Sequence, residues 1–541
     1  MFINFAKLPY NQKLFLDYIQ NNESVSKYYH RNYRDTSSYE EFFKLLTAKN
    51  NFNRENLINI IKSQYANNNP TQQTLNNIEL LRSSNTLAVI TGQQLGIFGG
   101  PLYTIYKIIS AIKLCSNLKE NFDAFNFVPI FWMEGDDHDF DEASTTSIID
   151  NNNNVITLKY DDGQIEEQNR GSVGEILFNR SLNELLNNLS NNLRESEFKP
   201  QLMTLLKSIY TEGKTFAQSF RDLLFKLFDE YGLIIFNPLD AEVKKLLKPV
   251  FIKEITEYSS HADKLVERSA ELEDAYHAQV KVKPINLFYI DNNERLLIEP
   301  TDNDYRLKGK RKKFSREELI NLLSSQPERF SPNVILRPIC QDYLFPTAFY
   351  IAGPSEISYF AQITPMYEIY KIAQPFIYPR ASATLVEKGI KNILEKYNLT
   401  YFDVFKGEQE IVNMVISSLS ELNLDAIFEN TITEINSIMG NLNHNLVTID
   451  KTLTDIIDKS KEKILQTIEA IKAKTQEAEQ RKYEVAVRQV KKVSNALLPN
   501  NNLQERELNF FYFANKYGLD LLKRIYSELA INKFEHQIIE I

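Results

Sequence analysis

The sequence predicts an α/β protein with a mostly parallel sheet covered on both faces, followed by an α-helical coiled coil towards the C-terminal end. Three observations predict this. Five short apolar runs each lead towards a helical pattern, beginning at "TLAVIT", "FNFVPIFWM", "GLIIFNP", "AFYIAG" and "PFIYPR". Apolar runs alternating with amphipathic helices are the mark of a parallel sheet buried on both faces. Two polar stretches, at about 145–200 and 280–330, interrupt this alternation and read as insertions with hairpins, one of them turning at Asp291–Asn293. After residue 404 the strands stop, and Phe428, Ile432, Ile435, Met439, Leu442, Leu446, Ile449, Leu453 and Ile456 follow a 4-3 spacing without a break. That is the a/d seam of a coiled coil, whose partner helix belongs either to the same chain or to a second copy.

The expected organisation is therefore a core over 1–404, a coiled coil over 405–498, and a segment over 499–541 that packs back on one or the other. The 541 residues exceed one ordinary core, and 43% hydrophobic with 25% charged residues is the balance of a globular protein. A net charge of −9 argues against a general nucleic-acid or membrane-surface binder. No run has the length of a signal sequence or a membrane span, so the expected location is the cytoplasm. Two cysteines, Cys115 and Cys340, make neither a disulfide framework nor a four-cysteine metal site, and both read as buried thiols.

The first apolar run opens into a glycine-rich turn holding Gly92, Gln93, Gln94, Gly96, Gly99 and Gly100, with Pro101 starting a helix that carries Lys107 two turns in. Such a turn serves either as a cradle for a nucleotide phosphate or carboxylate at the helix N-terminus, or simply as a tight strand-to-helix connection. It matches neither G-x-x-x-x-G-K-[ST] nor G-x-G-x-x-G. The second run ends in Glu134, Asp136, Asp137, His138, Asp139, Asp141 and Glu142. Carboxyl ends of strands form the ligand crevice of open α/β sheets, so His138 among carboxylates is a candidate base, and Asp136, Asp137 and Asp139 candidate partners or Mg²⁺ ligands beside a nucleotide. A zinc site lacks a second His or Cys at ligand spacing. Other candidates are His277 and Gln279 in "YHAQV", then Arg337, Gln341, Gly353, Glu356 and Tyr359, and Arg380 at the end of the last run. Arg337 in apolar surroundings requires a carboxylate, either of the protein or of a ligand. "GPSE" repeats the strand–Gly–Pro–helix device of the first turn. The basic run Lys308–Arg316 reads as a solvated hairpin tip.

The stretches "GQQLGIFGGPLYTIYK", "VPIFWMEGDDHDFDE", "YGLIIFNPLD", "YHAQV", "SPNVILRP", "AGPSEISYFAQ" and "LLPNNNLQER" together resemble the cysteine-adding enzyme family of bacillithiol biosynthesis. The resemblance implies a Rossmann-like nucleotidyltransferase-type core with connecting-peptide insertions, and a coiled-coil domain that promotes homodimerisation. It implies a ligase that joins the carboxyl group of L-cysteine to the amine of glucosaminyl malate, with ATP or another nucleotide as an expected cosubstrate. The synthetase signatures H-I-G-H and K-M-S-K-S are absent from this sequence. Another acyl-adenylate-forming enzyme and a non-catalytic dimeric adaptor are the rival readings. An adaptor has no need of a polar crevice.

Overall fold

A computed structural model describes residues 1–9, 11–48, 52–165, 168–302, 304–420 and 424–541. It divides into two compact units. One comprises Met1–Leu385 with Asn502–Ile539, the other Val386–Asn501 with Glu540–Ile541.

The first unit is built on five strands, and each comes from one of the five apolar runs. These are β1 (Thr86–Gln94), followed by α1 (Leu102–Asn121), β2 (Asn126–Glu134), β3 (Ile234–Phe236) and α2 (Ala241–Glu273). Further on come α3 (Arg337–Leu344), β4 (Thr347–Ala352), α4 (Pro354–Tyr370) and β5 (Phe376–Pro379). The sheet order is β5-β4-β1-β2-β3, and every pairing is parallel. The strands are buried along nearly their whole length, so both faces of the sheet are covered. Pro129 stands in a central strand, where a missing N–H is costly. It is accommodated because pairing with β3 covers only Ile130–Trp132. Phe349 of β4 and Phe376 of β5 are in register and stack with ring centroids 5.1 Å apart, and Tyr39 of the helix Tyr39–Ala48 closes on both. Each buried ring of this kind contributes roughly 1.5–3 kcal/mol.

The first insertion holds the hairpin Thr145–Ile149/Val155–Lys159 and then two helices, Ser181–Asn192 and Lys199–Ile209. Their leucines at helical spacing override the hairpins expected across the rest of that stretch. The second insertion is an antiparallel sheet, whose first hairpin turns at Asn292 and Asn293, both at positive φ. The basic run forms the tip of the Tyr305–Leu307/Lys313–Phe314 hairpin. Phe2 and Ile3 pair with Gln537 and His536, so both ends of the chain belong to one small sheet.

In the second unit, α5 (Leu424–Leu446) packs against α6 (Leu453–Lys482) as an antiparallel hairpin, with Lys472 3.3 Å from Asp425. The seam expected to run unbroken to Ile456 is therefore cut at 447–452. There the Asp450 carboxylate accepts from the Thr452 N–H and hydroxyl, a local turn bond that competes with helix continuation. Phe428, Met439 and Ile457 are buried, while Ile438, Ile449 and Ile456 are 63, 75 and 60% exposed. Among the described residues no single helix is long and apolar enough to cross a membrane.

Candidate active site

After β1 the chain builds β2 and β3 on one side, and β4 and β5 lie on the other. The topological switch point therefore falls between β1 and β4, where open α/β sheets hold their ligands. A crevice of about 550 Å³ opens there. Gly92, Gln93 and Gln94 line it from the end of β1, Glu134 to His138 from the end of β2, and Gly353 to Glu356 from the end of β4.

Two ion pairs with buried cations form its floor. Lys107 of α1 places Nζ 2.5 Å from Glu356 Oε2 and donates to Gly92 O at 2.8 Å and Gln93 Oε1 at 2.9 Å. It thus ties the end of β1 to the start of α4. Glu356 in turn accepts from the Gly353 N–H at 2.7 Å and from the Tyr350 hydroxyl at 2.6 Å. Arg337 Nε lies 3.0 Å from Glu134 Oε1, and Arg337 also donates to Tyr359 Oη at 2.7 Å and Gln341 Oε1 at 3.1 Å. Burial pushes the Lys107 ammonium down and the Glu134 carboxyl up, each against the pull of its partner. A Cβ at Gly92 would stand 3.0 Å from Glu134 Oε1, so this glycine gives the carboxylate its room.

The acidic stretch disperses rather than converging. Asp136 pairs with the buried Lys244 at 2.6 Å, Asp139 caps a short helix through the Glu142 N–H, and Asp141 pairs with Lys159. Asp137 accepts from Gln94 Nε2 and from the His138 N–H. Burial pushes the Asp137 carboxyl up, but its hydrogen bonds with His138 and Gln94 and the nearby Arg295 charge outweigh this and hold it well below the carboxylate range. Arg295 is buried, lies over the Phe288 ring, and is fixed by Ser331 Oγ at 2.9 Å and Pro332 O at 2.8 Å. Its Nη1 is 3.1 Å from His138 Nδ1. Asp137 Oδ1 lies 3.3 Å from the same nitrogen, so Nδ1 stands between a guanidinium that only donates and a carboxylate that only accepts. His138 lines the crevice beside this pair.

Several expected ligands serve the protein itself. Arg380 lines the crevice, yet donates to Glu505 Oε1 at 2.6 Å; Glu505 also accepts from the Ser382 hydroxyl and the Ala383 N–H. The glycine turn beyond Gln94 is braced by the C-terminal segment. The Leu102 N–H at the helix start donates to Leu508 O, and Asn509 Nδ2 donates to Phe98 O and Gly100 O. A Cβ on Gly96 would fall 2.7 Å from Gly100 Cα, and Gly99 and Gly100 have φ of +86° and +71°. These three glycines are therefore explained by close packing, and the helix N-terminus is already engaged. Gln341 is fully buried behind Arg337. His277 is exposed beside Glu273, and Gln279 bonds to Gln12; neither lines the crevice. Cys115 and Cys340 are buried, with thiols pushed up by burial.

The crevice also recruits residues that sequence reasoning passed over, Arg295, Lys281, Lys283 and Arg506, and it takes in Glu142 of the acidic stretch. Lys281, Lys283 and Arg506 form no ion pair among the described residues. Arg295 carried no readable signal of the kind that singled out Arg337: it follows the polar turn Asp291–Glu294, and its burial comes from tertiary placement.

Residues 1–381 match the family model "Bacillithiol biosynthesis BshC, N-terminal Rossmann-like domain", and residues 383–541 match "Bacillithiol biosynthesis BshC, C-terminal coiled-coil domain". The chain belongs to the BshC family. Among BshC relatives, a protein of Salinibacter ruber named "Putative cysteine ligase BshC" is 34% identical over 97% of this chain and 96% of its own. One of the same name from Chlorobaculum tepidum is 35% identical over 98% and 97%, and one from Chloroherpeton thalassium is 34% identical over 97% and 96%. The two BshC domains meet in sequence at 381/383, close to the division of the compact units at 385/386.

Proposed function

We propose that this protein is a cysteine ligase of bacillithiol biosynthesis, acting in the cytoplasm, that joins the carboxyl group of L-cysteine to the amine of glucosaminyl malate. Full-length membership of the BshC family carries this reading, and the crevice chemistry supports it. An acceptor bearing a dicarboxylate needs cations that the protein has not already neutralised. Arg337 and Arg380 are spent on Glu134 and Glu505. The ammonium groups of Lys281 and Lys283 are not, and they take the malate carboxylates.

Amide formation requires an amine poised against an acyl carbon whose oxygen is stabilised as charge develops on it. Asp137, kept ionised, accepts a hydrogen bond from the incoming amine and orients it. His138, held between Asp137 and Arg295, takes the proton that the amine loses as the amide bond forms. A free carboxylate must first acquire a better leaving group, and ATP or another nucleotide is the expected supplier. The glycine turn does not fit that role, because Leu508 and Asn509 occupy its polar groups. Nor does the acidic stretch fit Mg²⁺: Glu134, Asp136, Asp137 and Asp141 serve separate partners, and among the described residues no group of three or more His, Cys, Asp or Glu is arranged for a metal. No step is therefore assigned to a nucleotide or metal at either place. Two copies are proposed to associate through the α5–α6 hairpin, whose exposed isoleucines support such pairing.

Thiol profiling by mass spectrometry of a strain lacking the gene tests the reading. Accumulated glucosaminyl malate is expected; a normal thiol pool would overturn it.

A further inference from the structure

A second chamber, of about 200 Å³, opens beside the crevice and shares Gln93, Gln94, Tyr103, Glu142 and Arg506 with it. It falls below the roughly 300–1,000 Å³ of sites for drug-sized ligands, so it suits one small molecule rather than a nucleotide or an amino sugar. Its neutral polar lining comes from Thr145, Thr146 and Ser147.

Three charged side chains face it. Glu507 accepts from Asn502 Nδ2. Glu142 and Arg506 are different: neither side chain is engaged in a hydrogen bond or ion pair among the described residues, and they do not close on each other. The Glu142 backbone is fixed by its N–H to Asp139 and its carbonyl to the Thr145 hydroxyl, so its position is built while its carboxylate is left over. Glu142 is exposed as a residue, yet partial burial of its carboxyl, together with Asp139, Asp137 and Glu134, raises it above the ordinary range. An arriving ammonium relieves that strain.

Two exposed opposite charges that line one small polar chamber without pairing are the complement of a zwitterion. We propose that this chamber is the amino-acid site, with Glu142 holding the α-ammonium and Arg506 the α-carboxylate of a free amino acid, at the wall it shares with the crevice. The identity of that amino acid as cysteine rests on the ligase reading. The two-charge recognition does not.

Titration calorimetry of the full-length protein under reducing conditions tests this with L-cysteine, cysteamine and 3-mercaptopropionate. Each analogue lacks one charge and should bind about tenfold or more weakly than L-cysteine. Arg506→Gln should weaken L-cysteine and 3-mercaptopropionate but leave cysteamine unchanged. Glu142→Gln should weaken L-cysteine and cysteamine but leave 3-mercaptopropionate unchanged. These opposite signatures cannot come from misfolding. L-cysteine binding unchanged in both variants, or absent from the wild type, would overturn the assignment. If the wild type restores the thiol pool of the deletion strain while both variants bind L-cysteine normally, the chamber assignment falls and the ligase reading stands. If the analogue pattern appears while the deletion strain has a normal thiol pool, the reverse holds.

Discussion

Arg380 Nη2 donates to Glu505 Oε1 at 2.6 Å across 125 residues of sequence. Both groups are buried, so the end of the parallel sheet is held by a carboxylate from the last forty residues of the chain. Removing one partner of such a pair leaves an uncompensated buried charge, at about 3–5 kcal/mol. Glu505→Gln should lose stability on that scale in urea unfolding, and Glu505→Gln with Arg380→Met should recover part of it.

Behind this pair, His536 lies between the hydroxyls of Ser382 and Thr384 at 2.7 and 2.8 Å. Burial lowers its pKa to about 4 from 6.5. The folded ring stays neutral while the unfolded ring takes a proton, so His536 withdraws stability as pH falls from 6.5 to 4, by about 3 kcal/mol in all. The buried Asp342 carboxyl, pushed up to about 6, acts in the opposite sense between 3.8 and 6. It is common to wild type and variant. The stability of wild type minus that of His536→Gln should therefore rise with pH across 4 to 6.5; a flat difference would contradict the buried neutral ring.

The glycines of the first turn separate by consequence. Gly96→Ala pushes a Cβ to 2.7 Å from Gly100 Cα and should cost about 1–3 kcal/mol in thermal unfolding. Gly92→Ala meets Glu134 Oε1 at 3.0 Å, inside the crevice. Its main effect should be on product formation rather than on melting temperature.

Lys281 and Lys283 supply unspent charge at the crevice. Lys281→Gln with Lys283→Gln should raise KM for glucosaminyl malate by roughly tenfold or more, and should flatten the salt dependence of KM. Unchanged KM and salt dependence would remove them from acceptor binding.

The five strands were legible because both faces of the sheet are covered, which makes each strand a continuous apolar run rather than an alternating one. Arg337 was legible as a charge in apolar surroundings, and Lys107, Glu134 and Glu356 by their places at or after strand ends. What pairs with what was not, because strand order alone brings β1 beside β4, 260 residues on at Thr91 and Ile351. Glu505 and Arg506 were hidden for another reason. They sit in a four-residue helix, Gln504–Glu507, too short to show periodicity, and their role comes entirely from tertiary placement. The break in the coiled-coil seam was missed because the apolar spacing continues through 447–452, while the turn is set there by the polar Asp450 and Thr452.

The crevice as the seat of ligation is tested most directly by complementing the gene-deletion strain with His138→Ala or Asp137→Asn, and measuring bacillithiol and glucosaminyl malate by mass spectrometry. Loss of groups of this kind typically costs about 10²–10⁴-fold. The wild type should restore bacillithiol, and both variants, present at wild-type levels and folded, should leave glucosaminyl malate accumulated. Full restoration by either variant would contradict the assignment of that residue, and by both, the assignment of the crevice.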